Sequence, residues 1–381
     1  MNTKKRLVFV IESLHLGGAE KSLVTLLSNL DYSRYSVDLI LFINGGIFEQ
    51  FIPLEVNVIR DLYPKISFYS RLKYKMYKMI YKNTFHNASL FWKATNACFA
   101  ANTKQYDIAI SYSQGLATYY TATYINALKK VAWLNTDYQK AGYSIAFDYP
   151  YYKKYNQVVT VSNEAFKSFN EVLKSNNYQL EQQVIKDIID ENFLKLQANK
   201  KYLSLFNEDE INIVTVCRLA KEKGLFLAIE SCKNLIHKGY KVHWYIVGEG
   251  SERNYVEHLI KSYKLECNFT LVGMTENPYP YMKSCDIYVQ TSLFEGLGLT
   301  VIEASYLNKP IVCTNFPTVY GILEHEKTGL IAEMNAIDIA NNIERLILDK
   351  NLTKLLINNL ANKENNDKEI SLQKVNELLN K

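Results

Sequence analysis

Short apolar runs alternate with longer stretches in which apolar residues recur every three or four positions. In the first half, runs that fit strands fall at residues 6–12, 37–43, 56–60, 107–112, 130–135 and 157–162; helical spacing fits 18–30, 67–82, 87–103, 115–128 and 164–173. The second half repeats the theme. Strands are predicted at 211–217, 241–247, 268–272, 286–290 and 310–314, and helices at 223–237, 252–263, 300–307, 337–349 and 352–359. Runs such as RLVFVIE and INIVTVC are almost continuously apolar, which suits strands covered on both faces of a parallel sheet. Strand–helix alternation predicts βαβ units, and two such series predict two doubly wound α/β domains. The break is placed near 184–192, giving domains at 1–188 and 189–363 and a polar, helix-prone tail at 364–381. In doubly wound sheets ligands lie at the carboxyl ends of the strands, so two such domains are expected to hold a ligand in a central cleft.

Composition agrees with this picture. A chain of 381 residues, 48% of them hydrophobic, has material for two cores. Its six cysteines are scattered with no CxxC pair, which argues against a disulfide framework or a zinc site and for free thiols in a reducing cytosol. The basic start meets Glu12 before any apolar leader region can form, and no apolar run approaches the roughly 18–20 residues of a membrane span. A cytoplasmic protein is expected, with the membrane surface still open to it. The net charge of +5 is uneven: residues 1–190 carry 22 Lys/Arg against 15 Asp/Glu, and residues 62–106 hold eight cations and no acid.

Four stretches carry candidate chemistry. After the first strand, Gly17 and Gly18 let backbone approach a ligand and expose amides at a helix start, where the dipole favours anions. An ordinary βα turn explains the pair as well. After the strand at 211–217, Arg218 and Lys223 stand five positions apart; a planar guanidinium and a point charge suit a diphosphate, although solvated loop cations would look the same. The loop VGEG brings Gly248 and Gly250 to the end of another strand. In SLFEGLGLTVIEA, Glu295 sits on a loop bent by Gly296 and Gly298, free to reach sugar hydroxyls. The amides of Gly298, Leu299 and Thr300 open a helix, and Glu303 follows about one turn on. A carboxylate can accept from both hydroxyls of a ribose, so the spacing puts one carboxylate at each end of a nucleotide sugar with anion-binding amides between. Two other readings stay open. One is a hydrolase carboxylate pair. The other is a helix-capping box of Ser292 with Glu295.

Taken together, GGAEKSL, CRLAKEKG, IVGEG and LVGMTENPYPYMKSCDIYVQTSLFEGLGLTVIEASYLNKPIV resemble the family-4 retaining glycosyltransferases, strongly over residues 211–330 and fairly over 6–30. The resemblance implies the GT-B architecture, two Rossmann-like domains. It implies that Arg218 and Lys223 bind the donor diphosphate, that Glu295 contacts the donor sugar and that Glu303 binds the ribose. Gly17 and Gly18 would approach the donor phosphate and acceptor side, and the Gly273–Met274 turn the nucleobase. It implies no cofactor and no metal, with a nucleotide-sugar donor and a glycan or polyprenyl-diphosphate-linked acceptor. One departure is visible. The family commonly carries a histidine in W-x-H-x-D, and this chain has Asn135 between Trp133 and Asp137. Asparagine does not titrate near neutrality, so no acid or base is expected there; it orients a hydroxyl, or activity is low. His15, just before the glycine pair, is the remaining candidate on that side.

The basic stretch adds a second expectation. On a helical wheel Arg71, Lys75, Lys78 and Lys82 form one stripe, Leu72, Met76, Met79 and Ile80 another, and Tyr74, Tyr77 and Tyr81 a third. That suits a helix at an anionic membrane surface, or a helix whose apolar stripe faces the core while its lysines are solvated. No nucleic-acid motif accompanies the charge. The expectation from the whole chain is a surface-polysaccharide glycosyltransferase. The competing readings are another GT-B enzyme, such as a nucleotide-sugar epimerase or a glycan phosphorylase, and a non-catalytic nucleotide-sugar- or membrane-binding partner of another transferase.

Overall fold

The computed structural model describes residues 4–15, 17–60, 62–81, 84–201, 205–364 and 366–380. The apolar runs become parallel strands. In β8 (Ile211–Val216), Ile213 joins the core on one face of the sheet and Val214 the core on the other. In β12 (Ile311–Thr314), Val312 faces one core and Ile311 and Cys313 the opposite one. Burial on both faces is why these strands read as unbroken apolar runs.

The chain divides into two units, Met1–Ile188 with Asn366–Lys381, and Ile189–Asn365. In the first, the described strands are β1 (Lys5–Ile11), β2 (Tyr35–Leu41), β3 (Val56–Ile59), β4 (Asn102–Ser111), β5 (Ile125–Leu134), β6 (Gln157–Thr160) and β7 (Gln182–Val184). They lie in the order β3-β2-β1-β4-β5-β6-β7, every pairing parallel. In the second, β8 is joined by β9 (Val242–Val247), β10 (Phe269–Gly273), β11 (Ile287–Gln290), β12 and β13 (Leu330–Ala332), in the order β10-β9-β8-β11-β12-β13 and again parallel. The fold class expected, two doubly wound Rossmann-like α/β domains, is the one observed. The strand order reverses between β1 and β4 in one sheet and between β8 and β11 in the other. Those switch points open a crevice at the carboxyl ends of the strands, where a doubly wound sheet binds ligands.

Two helical readings ran too far. The helix expected at 87–103 stops at Thr95, because β4 takes the chain from Asn102. The helix expected at 115–128 is Leu116–Tyr124, and Ile125 opens β5. In both places an apolar stretch serves a helix first and a strand next, and periodicity alone does not mark the change. The polar tail forms a helix, Asp367–Asn380, belonging to the first unit. Val375, Leu378 and Leu379 are buried, Lys5 Nζ donates to Leu379 O (2.9 Å), Lys129 Nζ donates to Leu378 O (2.7 Å), and Lys186 pairs with Asp367 (3.0 Å). Two basic side chains thus reach the carbonyls that a helix C-terminus leaves unsatisfied. The six cysteines are free thiols. No helix among the described residues is long and apolar enough to cross a membrane.

Candidate functional site

In the second unit, the loops after β8, β9, β10 and β11 are locked together at the switch point. The loop after β9 lies against the loop after β8: the Leu219 amide donates to Glu249 O and the Glu252 amide to Leu219 O, both at 3.0 Å. This contact demands glycine. A Cβ on Gly248 would meet Cys217 O at 1.9 Å, and one on Gly250 would meet Leu219 O at 2.3 Å. Gly248 also donates its amide to Gly273 O (2.9 Å), which ties in the Gly273–Met274 turn and leaves Met274 exposed beside it. On the other side, Leu293 donates its amide to Glu222 O (2.8 Å) and Thr291 Oγ1 donates to Lys223 O (3.0 Å). Gly224, at φ +57°, closes the turn 221–224 so tightly that a Cβ would strike Thr291 O at 2.3 Å.

These loops deliver the charges. Lys223 Nζ donates to both oxygens of Glu295, at 2.7 and 2.8 Å, in a mostly buried pair. Burial pulls the lysine pKa down, but the Glu295 charge and its hydrogen bonds outweigh that and hold it above the ordinary value. The expectation that Glu295 stands free on its loop is corrected here. It also accepts from Ser292 Oγ (2.6 Å) and Gln290 Nε2 (3.3 Å). The capping-box reading of Ser292 with Glu295 is likewise not what forms. No helix starts after Ser292; the helix begins at Leu299, and its N-cap is Gly298 at φ +80°. No side-chain hydrogen bond caps that helix, so its first turn, at Leu299 and Thr300, is an uncapped positive dipole end. Glu303, one turn in, is buried and accepts from Tyr279 Oη (3.3 Å). Arg218 is different: its side chain is 66% exposed and pairs with Glu222 at 2.7 Å. The structure therefore gathers Arg218, Lys223, Glu295, Gly298, Leu299, Thr300 and Glu303, with Gly248 and Gly273, onto the carboxyl edge of one sheet.

Sequence reasoning missed the residue that organises them. Gln290 ends β11 fully buried; it accepts from Tyr288 Oη (2.9 Å) and Thr300 Oγ1 (3.4 Å), and donates to Ser292 Oγ (2.8 Å) and to Glu295. The signal was there: a polar residue closing an apolar buried strand needs partners, because an unpaired buried amide is costly.

In the first unit the residues named from sequence are more dispersed. Gly17 precedes the helix Gly18–Ser28, but Glu20 folds back over it, so a Cβ on Gly17 would meet Glu20 Oε2 at 2.1 Å. An anion approaching those amides meets a carboxylate. His15 is exposed. Asp137 turns its Oδ1 to the amides of Gln139 (3.1 Å) and Lys140 (3.0 Å) and to Ser168 Oγ (2.9 Å), which makes it a loop-shaping residue. Asn135 Nδ2 donates to Tyr112 O (2.6 Å), and its buried Oδ1 has no partner. Glu12 was also passed over. At the carboxyl end of β1 its carboxyl is held above the usual range by burial, against a hydrogen bond from Leu116 at the start of the helix Leu116–Tyr124, with Glu20 adding to the rise.

The geometry of the second unit coincides with a family match. Residues 197–363 fit the model of the Glycosyl transferases group 1 family. This stretch is a group 1 glycosyl transferase domain. The chain is similar to the poly(ribitol-phosphate) alpha-N-acetylglucosaminyltransferase of Staphylococcus aureus, 32% identical over 41% of this chain and 31% of that one. It is similar to the capsular polysaccharide biosynthesis glycosyltransferase CapM of Staphylococcus aureus, 28% identical over 43% of each. The chain spans about half, or less, of the length of the curated relatives it matches. Over 99% of both chains it shares the fold of Anabaena HepE, solved with UDP and glucose, with a TM-score of 0.71 at 19% identity. Of the residues that the resemblance assigns to the donor, all but Gly17 and Gly18 lie within 197–363.

Proposed function

We propose that the protein is a retaining, metal-independent glycosyltransferase. It moves a sugar from a nucleotide donor, UDP-linked, to a glycan or polyprenyl-diphosphate-linked acceptor in bacterial surface-polysaccharide synthesis, at the inner face of the plasma membrane. The unit Ile189–Asn365 takes the donor and the unit Met1–Ile188 the acceptor. The observation that carries this reading is the buried Lys223–Glu295 pair beside the uncapped helix at Gly298. A fixed cation, its partner carboxylate and an uncapped helix N-terminus meet at one switch point. The UDP and glucose held by the HepE structure and the polymers named for the curated relatives favour the donor and acceptor classes.

In this mechanism the bond between the anomeric carbon and the diphosphate oxygen breaks as the sugar becomes oxocarbenium-like. Lys223, Arg218 and the amides of Leu299 and Thr300 take up the charge that develops on the leaving diphosphate. Preorganised donors of this kind contribute about 3–4 kcal/mol each. Lys223 arrives already oriented by Glu295, and Glu295 keeps an edge for the sugar. Glu303 accepts from the ribose hydroxyls. The acceptor hydroxyl attacks on the face the diphosphate leaves, and its proton passes to a phosphate oxygen. No protein base is required, so Asn135 is compatible with turnover.

Asn135 also supports the second reading, a non-catalytic nucleotide-sugar-binding partner, because its amide nitrogen is committed to Tyr112 O. The deciding experiment is donor turnover by the purified protein with EDTA present. Release of UDP from a UDP-sugar, faster with lipid extract as acceptor, is the expected result. Tight binding of UDP-sugar without any release would establish the binding partner instead.

A further inference from the structure

The helix Phe68–Ile80 is oriented opposite to a core-packing helix. Its tyrosine stripe faces inward: Tyr74 packs edge-on against Phe91 at 5.5 Å between ring centroids, and Ser70 is the buried residue of the stretch. The apolar stripe faces water. Phe68 is 83% and Met79 77% exposed, and Tyr69, Leu72, Met76 and Ile80 are exposed beside them. On the wheel these six fill about 120°. Arg71, Lys75 and Lys78 border the stripe on one side, and Lys73 on the other. Lys82, counted with the basic stripe from sequence, lies outside the described residues. A face this apolar, left open and framed by cations, costs solubility unless something apolar and anionic covers it.

We infer that this face docks flat on an anionic phospholipid bilayer, with Phe68, Leu72, Met76 and Met79 entering the acyl boundary and Arg71, Lys73, Lys75 and Lys78 at the headgroups. Charge complementarity selects the occupant: residues 62–106 hold eight cations and no acid, so a neutral apolar partner would leave the flanks unanswered. The surface stands on the helix alone and does not depend on the donor reading.

The test is co-sedimentation of the full-length protein with vesicles of phosphatidylcholine alone, or of phosphatidylcholine mixed with phosphatidylglycerol. Binding to the mixed vesicles only is expected. M76E/M79E should abolish it, and K75A and K78A should each weaken it roughly five-fold. I337E, at an exposed apolar residue of the other unit, should leave it unchanged. Melting curves verify that the variants fold, and M79W should show a blue-shifted emission on vesicles. Three results overturn the proposal: no vesicle binding by the wild type, binding that survives M76E/M79E, or self-association in light scattering that M76E/M79E abolishes. The last would make the face a contact between copies. UDP-sugar binding, measured on the same variants, should not change, which separates this surface from the donor site.

Discussion

Lys223 and Arg218 look equivalent as two cations near a strand end, yet their surroundings give them different duties. Lys223 is held by a carboxylate in a mostly buried pair, whereas Arg218 is largely exposed and paired with Glu222 at the surface. An exposed pair contributes about 0–1 kcal/mol, while removing one member of a buried pair strands the other charge at a cost of about 3–5 kcal/mol. Lys223→Ala should therefore lower both the melting temperature and turnover, and Arg218→Ala should lower turnover roughly 10²-fold with little change in melting. Parallel thermal and kinetic measurements check both; a destabilised Arg218→Ala would show that its pair with Glu222 is structural. Glu303→Gln should weaken UDP-sugar binding about ten-fold or more without unfolding the helix, because a hydrogen bond to a charged group is lost in a buried position. Calorimetry reads that directly, and unchanged affinity would remove Glu303 from the ribose. The raised pKa of Lys223 keeps the pair intact over the physiological range. Its contribution is fully present below the ordinary lysine value and is lost only as pH rises past the folded one.

At the level of elements, the second unit works by loops that brace one another, and glycine is what lets them touch. Gly224→Ala combines a left-handed backbone with a collision at Thr291 O. It should cost about 1–3 kcal/mol and loosen Lys223 from Glu295, seen as a lower melting temperature and lower turnover together. The first unit is braced by buried acids. Asp187 accepts from Ser22 Oγ at 2.5 Å, and Ser22 shares a further hydrogen bond with Tyr112 Oη at 2.9 Å; burial pushes the Asp187 carboxyl up to about 7. Burial likewise pushes Asp148, bonded by Tyr119 and Tyr138, up to about 6. These are acids whose folded pKa is raised. Between the ordinary aspartate value and the raised one the folded state holds more protons than the unfolded state, so stability falls as pH climbs through that window. Urea titrations from pH 4 to pH 7 should show this fall, at most about 1.4 kcal/mol per pH unit for each proton. Asp187→Asn should flatten it; a slope unchanged by that substitution would mean the carboxyl is ionised throughout.

For the whole molecule, two units with separate cores should respond to ligand unequally. A UDP-sugar that binds only the folded group 1 domain stabilises it by mass action, about 2.7 kcal/mol at a hundred times its Kd. A thermal scan should show the shift with UDP-sugars, undiminished by EDTA. A shift that EDTA removes would put a divalent cation into the site and end the metal-independent reading.

What the sequence determined by itself was whatever local pattern encodes. Strands buried on both faces announce themselves as unbroken apolar runs, and spacing of Arg218, Lys223, Glu295 and Glu303 survives into the structure as one edge of one sheet. The helix start at Gly298 was legible because glycine before an apolar run is a local signal. Tertiary structure decided the rest. It decided that Glu295 is gripped by Lys223, since the two are far apart in sequence and meet only when β8 and β11 pair. It made Gln290 a hub, because a buried polar residue is defined by neighbours from other elements. It ended the helices at Thr95 and Tyr124, where strand pairing claims the chain ahead of helical periodicity. It also chose which stripe of Phe68–Ile80 faces inward. The wheel holds three stripes on equal terms, and only packing against Phe91 selects the tyrosines and leaves the methionines in water.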